Sequence, residues 1–256
     1  MSNEDIHSQA AAPSPAFRRG EIFWHRGQLE AARQCFEEAL TVERRLGEPA
    51  RVMPVLLSLG SVHGALGNRK AARACLQEIL GLQREAPDAQ LAGQALVNLG
   101  NLAREEGERE RARAYYLEAL DLLSPLGDTR SLGILHSNVG LLELDAGRLD
   151  DAISSLKTAI ELHKRSGFEE GLADTWDQLG RAFLRSGRPD KAETCFNFSS
   201  SHFISLGNPA GEAEALRGLT AVHEARGDAE LVRRCRERIA EIQIRYGLAP
   251  GDRSSR

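Results

Sequence analysis

The sequence predicts an all-α protein, a stack of six helix–turn–helix units with about twelve antiparallel helices. Three observations predict it. Gly20, Gly60, Gly100, Gly140 and Gly180 recur at a spacing of forty, with Thr220 at the sixth place. Gly27, Gly67, Gly107, Gly147, Gly187 and Gly227 form a second series, and Gly47, Gly127, Gly167, Gly207 and Gly247 a third, broken only by Pro87. Between these last two series, which set a breaker every twenty residues, run segments of about seventeen residues whose apolar side chains recur at three and four. Sixteen of the 24 glycines lie on this lattice, too many for chance.

Composition agrees with that class. Of 256 residues, 41% are hydrophobic and 27% charged, as in a folded rather than a disordered chain. Aromatics make up 5%, which favours helix over sheet. The net charge of -4 is interspersed, leaving no electrostatic footprint for nucleic acid or a membrane surface. No apolar run is long enough for membrane insertion, and the acidic N-terminus is no signal peptide. The expectation is a cytoplasmic chain with disordered tails at 1–14 and 248–256. Nearly all basic residues are arginine; Lys70, Lys157, Lys164 and Lys191 are the only lysines, a bias read as one of genome composition.

The units follow in order. Unit 15–47 has Ala16 and Arg19 where later units have leucine, as a capping unit would. Unit 48–87 carries Pro54 inside its first helix, where proline should shorten or kink it. Unit 88–127 holds the stripe Leu96, Leu99, Leu102 and Ala103, and Pro125 threatens its second helix in the same way. Unit 128–167 repeats the pattern in "GILHSNVGLLELDAG". Unit 168–207 shows Leu172, Trp176, Leu179 and Phe183, with Pro189 where a helix would start. Unit 208–247 ends in a helix polar on its outer face, so both ends read as solvated and the array as complete.

The second and third glycine series suit helix ends, where a left-handed residue closes the last turn. The first series lies inside a helix, where each glycine costs about 1 kcal/mol relative to alanine. Ala32, Ala72, Ala112, Ala152 and Ala192 follow twelve residues later, and a methyl opposite a missing side chain would let two backbones approach. Phe36, Leu76, Tyr116, Leu156 and Phe196 come four residues after the alanines; the last unit departs with Val232 and Arg236.

Leu96, Leu99, Gly100, Gly107, Ala112, Tyr116 and Ala119 together resemble the tetratricopeptide repeat, a helix-turn-helix unit usually shorter than this one. The long helices are similar to those of the Pins/LGN adaptors and kinesin light chains. The resemblance covers residues 15–247 and implies a single right-handed α-solenoid with a concave groove. It specifies fold far more closely than function.

Chemistry is hard to find. Cys35, Cys75, Cys195 and Cys235 share one repeat position. Stacked units would hold them roughly 10 Å apart, beyond the roughly 7 Å reach of a disulfide, so they read as small, buried, reduced residues. His63 and His223 share another position and read as packing; His25, His136, His163 and His202 are scattered. No metal-binding, cofactor-binding or nucleophile motif occurs, so no catalytic residue, cofactor or metal is expected.

Function is therefore sought on the face of each first helix opposite its leucine stripe. The candidates are Leu57 and Ser61; Gln94, Val97, Asn98, Asn101 and Arg104; Ser137, Asn138 and Leu141; and Asp177, Gln178, Arg181 and Arg185. Asn98, Asn138 and Gln178 form a ladder at one repeat position, and a carboxamide offers both a donor and an acceptor to a peptide backbone. In the resembling adaptors amides at this position hold peptides; bridging between neighbouring helices is the other role open to them. No lysine occupies the positions where a related subclass clamps chaperone tails. The expected function is a non-enzymatic adaptor for a peptide or helical segment, with no nucleic-acid partner. The alternatives are a scaffold that assembles into a homo-oligomer and a regulatory module of a signalling or transcription complex.

Overall fold

The computed structural model describes residues 13–248, so most of both expected tails lies outside the described residues. Twelve α-helices and no strand are found among them. In order these are α1 (Pro15–His25), α2 (Leu29–Leu46), α3 (Pro49–Ala65), α4 (Arg69–Leu82), α5 (Ala89–Glu105), α6 (Arg109–Leu123), α7 (Thr129–Asp145), α8 (Leu149–Ser166), α9 (Glu169–Arg185), α10 (Pro189–Ser205), α11 (Pro209–Arg226) and α12 (Ala229–Tyr246). No helix is long and apolar enough to cross a membrane. The chain forms two compact units that divide between Leu102 and Ala103, within α5.

All eleven glycines of the second and third series have positive φ, between 64° and 79°. At Gly187 the consequence is visible: Gly187 N–H donates to the Leu184 carbonyl at 3.1 Å and Arg188 N–H to that of Phe183 at 2.9 Å, closing α9. Pro189 then opens α10 at its first position, where its missing N–H costs nothing. Where Pro87 replaces the glycine, a side chain substitutes. α4 stops at Leu82, and the Gln83 carboxamide clamps the turn, donating to the Asp88 carbonyl at 3.0 Å and accepting from Asp88 N–H at 2.9 Å.

The two internal prolines behave differently. Pro125 ends α6 at Leu123 and leaves a short 3-10 turn at Ser124–Leu126. α3 instead runs through Pro54 to Ala65 without ending. Ser14, placed by the sequence in the N-terminal tail, caps α1 by accepting from Phe17 N–H at 3.3 Å. At the other end Leu248 N–H still donates to the Gln243 carbonyl, at 3.1 Å.

The first glycine series packs differently from expectation. A β-carbon added at Gly20 would lie 2.5 Å from the Phe36 ring, and one at Gly60 2.9 Å from Leu76. At Gly140 it would meet Leu156 at 2.6 Å, and at Gly180 the Phe196 ring at 2.8 Å. The nearest neighbour is thus the large residue, not the alanine methyl, while the expected close backbone approach is present where the Ala72 and Ala152 carbonyl oxygens lie 3.6 and 3.4 Å from the added atom at Gly60 and Gly140. The alanines are buried, but their role is to leave room beside a ring or isobutyl group that fills the notch over the glycine. In unit 13–102, Ala16, Ala32, Phe36, Val55, Leu59 and Val62 form one core. In unit 103–248 a core runs from Leu144 through Leu156, Leu179, Phe183 and Phe196 to Val222.

Candidate functional site

Short turns return the chain every twenty residues, so α7, α9 and α11 come side by side in unit 103–248. α9 touches both α7 and α11 in addition to its chain neighbours α8 and α10. This row of first helices carries Asn138, Leu141, Gln178, Arg181 and Arg185.

The three amides of the ladder do not behave alike. In unit 13–102 the Asn98 carboxamide donates to Ser61 Oγ at 3.4 Å, and Ser61 Oγ donates to the Leu57 carbonyl at 3.0 Å. Asn98 therefore ties α5 to α3. In unit 103–248, Asn138 Nδ2 on α7 and Gln178 Oε1 on α9 are sealed from solvent without a hydrogen-bond partner among the described residues. Leaving such a group unsatisfied costs about 1–3 kcal/mol. One is a donor and the other an acceptor, the pair that an extended backbone complements.

Around them the row is tied together by charge. Arg181 donates to Asp177 at 2.7 Å and also reaches Glu214 on α11, which accepts from Arg217 at 2.6 Å. Burial pushes the Asp177 carboxyl above its ordinary range, against the pull of Arg181. Arg104 pairs with Asp145 at 2.9 Å, and Arg185 Nη1 donates to the Leu144 carbonyl at the end of α7 at 2.7 Å.

Three candidates are not where the sequence placed them. Val97, Ser137 and Asp177 are buried, at 8%, 7% and 5% exposure; in unit 103–248, α9 is flanked by α7 and α11, which leaves a narrower outward strip than a single-helix reading implies. Leu57, Ser61, Gln94, Asn98, Asn101, Arg104, Asn138, Leu141, Gln178 and Arg181 are half-buried, and Arg185 is exposed.

Ser137 belongs to a buried polar cluster that the sequence did not reveal. Thr175 Oγ1 donates to the Gly171 carbonyl at 2.7 Å, so it accepts from Ser137 Oγ at 2.8 Å. Ser137 in turn lies 3.4 Å from His163 Nε2, whose proton it can accept. That tautomer leaves Nδ1 unprotonated, and it is the atom without a partner. Gly133 and Gly171 leave space for the imidazole, and Phe168 packs edge-on at 5.3 Å with Arg130 over the Phe168 ring at 4.1 Å. The signal was present: His163 shares the repeat position of Leu123 and Phe203, and Gly211 admits Phe203 as Gly171 admits His163.

The four cysteines are free; Cys35 and Cys195 are buried, whereas Cys75 and Cys235 are only half-buried. Burial pushes the Cys195 thiol up to about 12. In the folded protein at pH 8, Cys195 is expected to resist alkylation while Cys75 and Cys235 react, as peptide mass spectrometry would read. Fast modification of Cys195 would contradict its placement. Among the described residues no His, Cys, Asp and Glu cluster could hold a metal ion.

The comparisons with known proteins bear on this geometry. The family model described as the MalT-like TPR region matches residues 7–176. No curated protein matches the chain. Among solved structures, BtubC from P. vanneervenii superposes with a TM-score of 0.74 at 21% identity, over 89% of this chain and 96% of that one. A signal transduction ATPase with a tetratricopeptide repeat sensor from Pyrococcus horikoshii gives 0.73 at 17% identity, over 93% of this chain but 36% of that one. The Rap conjugation gene regulator of plasmid pLS20, solved with the Phr* peptide, gives 0.70 at 14% identity, over 93% and 76%. At these identities the likeness is one of fold.

Proposed function

Since the chain belongs to the MalT-like TPR family, we propose that it is a protein-interaction adaptor that takes a peptide or helical segment of a partner on the first-helix row of unit 103–248. The observation that carries this is the pair of unsatisfied amide atoms, Asn138 Nδ2 and Gln178 Oε1, at one repeat position of neighbouring helices. Leu141 and Ile134 lie half-buried along α7 and supply apolar contact beside them. The solved peptide complex of a similarly folded Rap protein supports the class of ligand.

Selection of a random peptide library on the intact chain tests the reading. Binders are expected, and Asn138→Ala with Gln178→Ala should weaken them about 10-fold or more, from two backbone hydrogen bonds of about 1 kcal/mol each. Asn98→Ala should cost far less affinity, because that amide already bridges α5 and α3. Binders indifferent to the double substitution, or no binders at all, would contradict it.

A further inference from the structure

Three of the chain's four lysines stand around one cleft, in a protein whose other basic residues are all arginine. The cleft opens between α8 and α10, is floored by Trp176, Leu179 and Phe183 of α9, and has a volume of about 520 Å³. That lies within the range of small-molecule sites, roughly 300–1,000 Å³. Elsewhere the position of Trp176 holds Ala16, Leu56, Leu96, His136 or Leu216, and that of Lys157 holds no basic residue in any other unit. The positions of Lys164 and Lys191 are basic elsewhere, at Arg44, Arg84 and Arg111, but no other unit is basic at all three. Trp176 and three basic side chains thus meet in this one place.

Their geometry suits an amphiphile. Lys164 Nζ lies 5.8 Å from the centre of the Trp176 ring, and Lys191 Nζ 5.7 Å from that of Phe183. Trp176 is itself held by stacking on Phe198 at 5.0 Å. Lys164 pairs with Glu161 at 3.2 Å, while Lys157 and Lys191 have no ion pair among the described residues. The rim is therefore net positive over an apolar, aromatic floor. Gln178 projects about 200° around α9 from Trp176, so this cleft is separate from the amide pair.

We propose that the cleft binds a small amphiphilic anion, its aromatic or aliphatic body on Trp176 and Phe183 and its carboxylate, sulfonate or phosphate beneath Lys157, Lys164 and Lys191. Charge complementarity selects the head group, and the depth of the apolar floor selects a body of one or two rings or a medium-length chain.

The probe is 1-anilinonaphthalene-8-sulfonate, titrated into the full chain carrying Trp24→Phe so that Trp176 alone reports by quenching. One site is expected, with affinity that falls as salt rises and with displacement by decanoate. Lys157→Gln, Lys164→Gln and Lys191→Gln together should weaken binding at least 10-fold, and Lys70→Gln should leave it unchanged. Uncharged N-phenyl-1-naphthylamine should bind at least 10-fold more weakly than the sulfonate. The three lysines are exposed, so the triple variant should keep the parent unfolding curve by circular dichroism. Equal binding to the triple variant, or equal binding of the uncharged dye, would overturn the proposal. So would displacement of the dye by an acidic, apolar heptapeptide but not by decanoate, which would assign the cleft to a protein segment.

Discussion

Phe196→Ala is expected to destabilise unit 103–248 by about 3–5 kcal/mol, the usual cost of emptying a fully buried ring site. The ring is wholly buried and slotted between two helices, against Gly180 on α9 and Gly218 on α11. A methyl at either glycine would press on it, so Gly218→Ala alone should cost about 1–3 kcal/mol through overpacking, outweighing the gain of about 1 kcal/mol from alanine's helix preference. In the Phe196→Ala background the ring is gone and only that preference remains. Gly218→Ala should then become neutral or stabilising. Urea unfolding of the four proteins measures this coupling, and the same destabilisation in both backgrounds would show that the glycine does not serve the ring.

The second large effect concerns pH. Burial, reinforced by the nearby Arg130 charge, holds the His163 imidazole down at about 4, against about 6.5 for an unburied histidine. The unfolded chain therefore binds this proton first. The stabilisation is complete above pH 6.5 and is lost progressively as pH falls to about 4, a loss of about 3 kcal/mol over that window. Denaturation at pH 7, 6, 5 and 4 should follow this slope. His163→Phe keeps a ring between Gly133 and Gly171 and should flatten it; an unchanged slope in that variant would place the titrating group elsewhere.

Much of the fold could be read directly from the chain because glycine acts locally. A residue that must adopt positive φ at each helix end leaves a period in the sequence itself, and eleven such glycines mark the turns. The role of the interior glycines was less legible, since it depends on which side chain of the next helix reaches back. Gly20 and Gly180 face Phe36 and Phe196, not the alanines four residues before them. Pro54 and Pro125 look equivalent in sequence, yet one lies within a continuous helix and the other ends one.

The sequence gives the repeat position of the amides but not their bonding. The forty-residue register gives Asn98, Asn138 and Gln178 the same repeat position, whereas only tertiary contacts distinguish the amide that bonds to Ser61 from the two left unsatisfied. Helical spacing alone puts Ser137 and Asp177 on the outward face, but both are buried in the packed unit. His163 looked scattered because its partners, Gly133, Ser137, Gly171 and Thr175, come from two other helices.

The central claim is that Asn138 and Gln178 meet a bound peptide backbone. Side-chain amide resonances of the two residues, followed by nuclear magnetic resonance as a selected peptide is titrated in, test it most directly. Both NH₂ resonances should shift with the binding isotherm, while that of Asn98, already bonded to Ser61, stays in place. Saturation with peptide while the Asn138 and Gln178 resonances remain unmoved would contradict the account.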